Sequence, residues 1–448
     1  MKRTIFIIYY LLFIISTASA QQVLGLPQCL ELARQNNRTL KNAALEIDMS
    51  TEQRKEAYTK YFPDIKANVM AFHAFDEMMK GDGLYPPVIA ALDPSFAPLV
   101  GTPFSYSEFQ RAYSASIVLT QPLYAGGRII AGNRLAKIGQ EAQLLQLQMK
   151  EKDVLQKVAE CYWQVAMVKY NLETIAAAEK QLNVVNDLVT NYVKAGVTTR
   201  NDLLKVQLRQ QELASNRLKL ENAEHVLLVL LAQQIGLAGQ KIDIDAASLE
   251  AQDPSKVFVA ADEAVAAREE TALMQKQVEA NEWQVKLERG KYLPSIAFGL
   301  MGYNTGIGGF SSNVKAYMDT NMTNGLVFGT ISIPLMEWWG GKHAIRRTQM
   351  KLQQAKNDAE DVREQLAVDV ESAWSNLTEA YKQIDIARAS VSSAEENLRM
   401  STDQYRAGTE MLSDLLDAET LNRQARSQLS EAMANYQIRL ADYLRKIR

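Results

Sequence analysis

Cysteine is scarce in this chain, and long apolar runs are almost absent. Only two of the 448 residues are cysteines, Cys29 and Cys161, and they lie far apart. So few cysteines exclude a disulfide-rich scaffold and a cysteine-based zinc site. Beyond residue 20 the longest apolar run covers only 226–232, whereas a membrane-spanning helix needs about 20 such residues. The chain therefore has no transmembrane helix pattern there, and any crossing of a membrane must be made by strands.

Proline is absent from two long stretches of the chain, and glycine is rare in them. None of the 11 prolines falls in 123–253 or in 335–448. Gly196 is the only glycine between Gln140 and Ile235, and Gly408 is the only one between Lys342 and Arg448. Proline costs about 3 kcal/mol and glycine about 1 kcal/mol inside a helix. These gaps predict helical hairpins over about 128–235 and 342–446, with tips at 195–202 and 407–414.

No single sign of charge dominates, and no catalytic pattern is present. The 49 basic residues nearly balance the 52 acidic ones, which argues against a nucleic-acid partner. His73, His225 and His343 are far apart in the sequence, and no nucleophile elbow, phosphate loop or HExxH motif occurs. We therefore expect neither an enzyme nor a bound cofactor or metal.

The remaining apolar run stands at the start of the chain. Two basic residues precede an apolar run over 5–15, and the small residues 18–20 follow it. This order is typical of a secretory signal peptide, so we predict a signal peptide over 1–20 that is removed after Ala20. Cys29 fits poorly as a lipid-bearing cysteine, and we predict a small buried residue at a helix start.

The two halves of the chain resemble each other. A two-residue insertion at Glu337-Trp338 must be offset further along the following helix, which loosens the detailed alignment. Four landmarks recur at a separation of 212 positions: Pro122 and Pro334, Tyr162 and Trp374, Gly196 and Gly408, Asp202 and Asp414. The repetition predicts a duplicated helix-strand-strand-helix plan, with one structural repeat in 21–250 and the other in 251–448.

Four segments outside the helices are candidate strands. Within the second, Ile117 and Leu119 alternate with Ser116 and Thr120. Such alternation is typical of transmembrane barrel strands, although an ordinary antiparallel sheet of a soluble protein explains it equally well. Four strands cannot close a barrel, so a spanning sheet also requires an oligomer. The candidate strands cover about 64–75, 111–124, 295–304 and 325–336.

This organisation resembles the TolC family of outer-membrane efflux proteins. The motifs QPLYAGGR (121–128) and SIPLMEWWGGK (332–342) carry the resemblance, together with YVKAGVTTRNDLL (192–204) and YRAGTEMLSDLLDAET (405–420). It implies a mainly α fold with a β-barrel, in which a homotrimer forms a twelve-stranded outer-membrane β-barrel continued by a periplasmic α-helical barrel.

The resemblance also implies a function and partners. The trimer would be an exit duct that docks to a periplasmic adaptor (membrane fusion protein) and to an inner-membrane pump of the RND or ABC type. The duct would sit in the outer membrane of a Gram-negative-type bacterium and extend into the periplasm. The alternative is a periplasmic coiled-coil protein without a pore. Neither the cargo nor the pump is encoded in a recognisable motif.

A periplasmic gate is part of what the resemblance implies. Asp414 and Asp417 match acidic residues of the family's constriction, Tyr405 matches a gating tyrosine, and Asp202 matches a hydrogen-bonding partner at the closed tip. The alternative is that the two aspartates only stabilise the start of a helix. One departure concerns Glu410, which stands where the family's best-known gate has an arginine.

The turns and the strand ends complete the candidate sites. Gly196 and Gly408 are expected to adopt the left-handed conformation that ends a helix. Together with Val197 and Thr409 they match the tips that contact the adaptor in the family.

Aromatic residues stand at the ends of two candidate strands. Tyr124, Trp338 and Trp339 follow the second and fourth strands, where aromatic rings suit the interface with outer-membrane lipid or cover the joint between strands and helices. The proline-rich segment 76–105 is predicted to be a loop of no legible function.

Overall fold

A computed structural model of the chain describes residues 22–75, 79–88, 90, 94–108, 111–245, 251–311, 316–336 and 338–447. The predicted signal peptide 1–20 lies outside these residues. In chain order the helices and strands are β1 (Gln22–Leu24), α1 (Leu26–Asn36), α2 (Arg38–Thr59), β2 (Asp64–His73), β3 (Met79–Leu84), β4 (Pro103–Glu108), β5 (Arg111–Ala125), α3 (Arg128–Lys194), α4 (Arg200–Gln234), β6 (Ile242–Ile244), α5 (Ala261–Ala267), α6 (Glu269–Gly290), β7 (Ser295–Ser311), β8 (Ala316–Ser332), α7 (Gly340–Arg406) and α8 (Leu412–Ile447).

Two helices of equal length dominate the fold. Helices α3 and α7 each contain 67 residues, which corresponds to about 100 Å at 1.5 Å per residue. Helices α4 and α8 return from them and contain 35 and 36 residues. These bounds lie close to those expected from the missing prolines and glycines. No helix in the described part of the chain is both long and apolar enough to cross a membrane.

The strands form a four-stranded antiparallel sheet in the order β2-β5-β7-β8. One row across the sheet is apolar, since Ile65 pairs with Leu119, which pairs with Leu300, and Val327 completes the row. Successive side chains of a strand point to opposite faces, and the opposite face carries a polar row of Asn68, Ser116, Tyr303 and Asn324. The next row on that face is more apolar and contains Val118, Met301 and Leu326.

Two strand predictions were wrong at their ends. Strand β7 runs beyond the predicted residue 304 to Ser311, and β8 covers Ala316–Ser332 instead of about 325–336. The added residues are rich in glycine and asparagine, which have low strand propensity, so the sequence pattern fades although the ladder between the strands continues. Pro334 has no N–H to donate, and the strand ends before it.

Two short pairings were not predicted. Part of the proline-rich segment forms an antiparallel hairpin of β3 and β4, so the prediction of a loop over all of 76–105 was wrong. Pro103 is compatible with this hairpin because it is the first residue of β4. Strands β1 and β6 form a parallel pair. Each contains only three residues, too few to show any periodicity.

The chain divides into two compact units. One comprises the residues up to Ser50 with Gln140–Val278 and Ala355–Arg448, and the other comprises Thr51–Gly139 with Glu279–Gln354. The four-stranded sheet belongs to the second unit, whereas three buried apolar clusters belong to the first. Cys29 and Cys161 are free and buried in one of these clusters, and burial raises the pKa of each thiol to about 11. The prediction of a buried Cys29 at a helix start is confirmed.

Candidate functional site

Both helical hairpins reverse at a left-handed glycine. The φ angle is +75° at Gly196 and +74° at Gly408, as the sequence predicted. The residue after each glycine donates its N–H to a carbonyl of the preceding helix, at 2.8 Å for Val197 and 3.0 Å for Thr409. This pattern satisfies carbonyls that a helix end leaves open. The side chain of Val197 is 71% exposed, so the turn presents an apolar group to solvent.

One apolar cluster brings the two turns together. It contains buried residues from the end of α3, the start of α4, the end of α7 and the start of α8. The rings of Tyr192 and Tyr405, which belong to different repeats, contact each other with centroids 6.2 Å apart. The other buried members are Ala178, Leu182, Val185, Val189, Val206, Leu213, Leu398, Leu412, Leu415, Leu416 and Ala418.

Tyr405 is buried in this cluster with an unsatisfied hydroxyl. The residue is 6% exposed, and its hydroxyl has no hydrogen-bond partner among the described residues. Burial is the main factor that raises the pKa of this hydroxyl, and the charge of Asp202 adds to it. Tyr405 and Asp202 are therefore close, but no hydrogen bond joins them. A buried polar group without a partner is destabilising, and such groups often mark functional positions.

Asp202 is instead bound within its own hairpin. Its carboxylate accepts hydrogen bonds from the hydroxyls of Thr198 at 2.7 Å and Thr199 at 3.0 Å, and Lys205 lies 3.2 Å away. The Thr198 hydrogen bond is the main factor that lowers the pKa of Asp202. Thr199 in turn accepts the backbone N–H of Asp202 and caps α4. Asp202 therefore fixes the start of the returning helix.

Asp414 and Asp417 lie on the exposed face of the first turns of α8. Both are exposed, whereas Leu412, Leu415 and Leu416 face the apolar cluster. Asp414 accepts a hydrogen bond from the hydroxyl of Ser413 at 3.3 Å, and no hydrogen bond or ion pair involves Asp417 within the described ranges. The two carboxylates are thus available to solvent and to ions.

Glu410, in the turn between α7 and α8, folds back onto the end of α7. The hydroxyl of Ser401 on α7, which is buried, donates to Oε1 of Glu410 at 3.0 Å. The other oxygen, Oε2, is buried and has no partner in the part of the chain that the structure describes. An arginine at this position could not accept that hydrogen bond. The hydrogen bond between Ser401 and Glu410 therefore joins the turn of the second repeat to α7, and it requires the glutamate that this chain has at position 410.

The buried carboxylate of Glu419 on α8 was not predicted from the sequence. Glu419 is 5% exposed, and neither oxygen has a hydrogen-bond partner among the described side chains and backbone. Burial raises the pKa of Glu419, and the positive charges of Arg423 and Arg209 only partly offset this. A signal was present, because Leu412, Leu416 and Glu419 follow the spacing of one buried helix face.

Glu419→Gln is expected to stabilise the folded protein at neutral pH by about 1–2 kcal/mol, because it removes an unpaired buried charge. The native carboxyl binds its proton more tightly than the unfolded one, whose pKa is near 4.5. Wild-type stability should therefore fall as the pH rises above about 4.5, and the variant should lose this component. Unfolding curves at pH 5 and pH 8 measure both effects. The control is Glu431→Gln, at an exposed position on the same helix. An equal change in stability in the two variants would show that Glu419 is not a destabilising buried charge.

The three aromatic residues at the strand ends are exposed, but all of them lie elsewhere than predicted. Tyr124 is inside β5 rather than after it. Trp338 and Trp339 do not follow β8 directly, because that strand ends at Ser332. They lie in the loop before α7, are 77% and 72% exposed, and have positive φ angles of 48° and 65°. Bulky residues rarely adopt this conformation, so the loop is strained at its aromatic residues.

The joint between β5 and α3 depends on close backbone contact. Gly126 has a φ of +61°, and a Cβ atom there would lie 2.2 Å from the carbonyl oxygen of Gly290. In the second repeat the counterpart of Gly126 is Gly340, where an added Cβ would meet no atom within 4 Å, whereas a Cβ on the next residue, Gly341, would lie 2.6 Å from the Tyr292 ring. The two repeats therefore close this joint differently.

The family model that matches this chain, and two relatives that match parts of it, are of outer-membrane proteins. A family described as "Outer membrane efflux protein" matches residues 29–236 and 260–445. The outer membrane protein TolC of Salmonella enteritidis is 26% identical over 135 residues, which cover 30% of this chain and only 28% of that protein. The outer membrane efflux protein BepC of Brucella suis is 23% identical over 351 residues, which cover 75% of this chain and 72% of that protein.

A solved structure extends the likeness to nearly the whole chain. The outer membrane protein VceC of Vibrio cholerae superimposes with a TM-score of 0.72 at 15% identity, covering 94% of this chain and 95% of that one. At this identity the likeness concerns the fold. It confirms the prediction of a mainly α fold that carries barrel-type strands.

Proposed function

Because the chain belongs to the outer membrane efflux protein family, we propose that it is an outer-membrane exit duct for efflux or secretion. Substrates leave the cell through it when a periplasmic adaptor and an inner-membrane pump of the RND or ABC type dock to it. The observation that carries the proposal is the four-stranded sheet with two open edges, each strand of which leads from or into a helix. The protein lies in the outer membrane and extends into the periplasm.

The sheet supports a trimer. Strands β2 and β8 lie at its edges, and an unpaired edge favours pairing with another chain. One face carries exposed apolar side chains such as Val69, Ile117 and Val327, as expected where a barrel meets lipid. Three copies would place twelve strands in one closed barrel with no free edge. The row of Asn68, Ser116, Tyr303 and Asn324 then faces the lumen.

The helix turns support the gate and the docking of the adaptor. Three copies of Asp414 and Asp417 place six carboxylates around the narrow end of the helical barrel, where they attract cations. Tyr405 belongs to the apolar cluster that the first turns of α8 pack against, and Asp202 lies close enough for its charge to raise the pKa of Tyr405. The exposed turns at Gly196, Val197, Gly408 and Thr409 form the surface that meets the adaptor.

Trimerisation and conductance test this function together. The detergent-extracted protein is expected to have three times the mass of its processed chain, and to form discrete conducting channels when added to a planar lipid bilayer. A protein released without detergent as a monomer or dimer, with no conductance, would contradict the proposal and favour a periplasmic coiled coil without a pore.

A further inference from the structure

A cavity of about 560 Å³ lies at the joint between β8 and α7. The extended segment 333–336, which follows β8, forms one wall and has no strand partner in the part of the chain that the structure describes. Leu335 in this segment is 90% exposed. The cavity is lined by Tyr292, Leu335, Met336, Trp339, Lys342 and Arg346, among others. Its walls therefore combine apolar and aromatic groups with two cations.

The two cations have no partners of their own. Lys342 and Arg346 lie four residues apart on the first turns of α7, and both side chains are exposed. Neither forms an ion pair or a hydrogen bond with another residue in the described ranges. The first repeat differs, because Arg128 donates to the carbonyl of Ala125 at 3.0 Å and Arg134 pairs with Glu279 at 3.1 Å. The second joint thus keeps two positive charges available for a ligand.

The cavity lies at a place where the two repeats differ. In the first repeat, backbone contact between Gly126 and Gly290 closes the joint. The second repeat has the insertion at Glu337-Trp338, and at Gly340, the counterpart of Gly126, an added Cβ would meet no atom within 4 Å. Trp339, which follows this insertion, lines the cavity.

The apolar wall continues the face of the sheet that meets lipid. Val327 and Ile331 lie on that face and are exposed, and Ile333 and Leu335, which follow β8 in the chain, are exposed as well. Unpaired cations directly beyond an apolar membrane face are typical of sites that hold anionic lipid head groups. Exposed tryptophans are likewise typical of the level of the head groups.

We propose that this cavity binds an anionic glycerophospholipid of the periplasmic leaflet of the outer membrane. The phosphate lies between Lys342 and Arg346, and the upper part of the acyl chains lies along Leu335, Met336 and Trp339. The volume is within the range of about 300–1,000 Å³ that is usual for ligand sites. The inference rests on the proposed location of the chain in the outer membrane.

The test measures lipid binding to the purified trimer in detergent. Phosphatidylglycerol with brominated acyl chains quenches nearby tryptophans, and the emission of Trp339 is obtained as the difference between wild type and Trp339→Phe. We expect saturable quenching by brominated phosphatidylglycerol and much weaker quenching by brominated phosphatidylcholine. Lys342→Gln with Arg346→Gln should weaken the binding of phosphatidylglycerol roughly ten- to thirty-fold, since each cation contributes about 1 kcal/mol near an anionic surface.

A matched pair on the same helix is the control. Arg347 and Lys351 are also four residues apart and exposed, but they do not line the cavity. Arg347→Gln with Lys351→Gln should leave the binding of phosphatidylglycerol unchanged. The proposal would be overturned if both double variants lost phosphatidylglycerol binding equally. It would also be overturned if wild type bound phosphatidylglycerol no better than phosphatidylcholine.

Two other occupants give different results. If inorganic phosphate at millimolar concentration displaces the lipid completely, the site recognises free phosphate and the lipid assignment is wrong. If a neighbouring copy fills the cavity, Trp339 is not quenched and the Lys342 and Arg346 substitutions reduce the fraction of trimer. Failure of the proposed function is distinguishable, because it would appear earlier as a protein that forms no trimer.

Discussion

Gly126→Ala is expected to abolish assembly of the folded protein, whereas Gly127→Ala beside it is expected to be tolerated. Both glycines have positive φ angles, +61° and +75°, so both substitutions cost about 1–2 kcal/mol for the left-handed conformation. The difference lies in their surroundings. A Cβ at Gly126 would lie 2.2 Å from the carbonyl oxygen of Gly290, whereas a Cβ at Gly127 meets no atom within 4 Å.

The clash at Gly126 involves backbone on both sides, so no side chain can rotate to relieve it. The additional cost is several kcal/mol, comparable with the largest effects of single substitutions. The yield of detergent-stable oligomer after expression measures the outcome. Gly290→Ala should behave like Gly126→Ala, because its Cβ would lie 2.4 Å from the carbonyl oxygen of Gly126. Equal yields of the Gly126→Ala and Gly127→Ala proteins would show that this contact does not hold the joint.

The double substitution Asp414→Ala with Asp417→Ala is expected to remove most of the cation selectivity of the channel. Six carboxylates around a narrow lumen would concentrate cations, and low-dielectric walls strengthen that field beyond its value in water. Wild type should prefer cations, and multivalent cations added from the periplasmic side should block it. In the variant the permeability ratio should approach unity, and the blocking concentration should rise about ten-fold or more. Planar-bilayer recordings of the purified protein measure both quantities.

A second pair of aspartates provides the control for this experiment. Asp358 and Asp361 on α7 are also three residues apart and exposed, and their replacement by alanine removes the same charge. We expect that pair to leave selectivity and block unchanged. If Asp414 and Asp417 only favour the start of α8, their loss costs about 0.3–1 kcal/mol each, and the current and its block stay as in wild type. That result would refute the gate assignment.

The helices could be predicted from the sequence because their signal is local and long. A proline or glycine is costly at nearly every interior helix position, so their absence over a long stretch identifies a helix without any knowledge of its neighbours. The turns at Gly196 and Gly408 followed from the same argument, because only one glycine interrupts each stretch. The alternation around Ile117 likewise identified β5.

The details of the gate region could not be predicted, because they depend on side-chain contacts across the turn and between the two repeats. Ser401 binds Glu410 across the turn, and Tyr192 contacts Tyr405 from the other repeat. Glu419 resembles any other glutamate of a helix until the packing of α8 buries it.

The sequence by itself determined the long helices, their turns, the duplication and the approximate places of the strands, because each of these follows from the preferences of neighbouring residues. Only the tertiary structure decided where β7 and β8 end, that β3 and β4 pair within a proline-rich segment, and that one joint is closed while the other contains a cavity. Those features depend on which backbone groups meet across the sheet and on the space that Gly290 and Tyr292 leave to residues far away in the chain. A sequence pattern specifies which face of an element is apolar, whereas only packing specifies what that face meets.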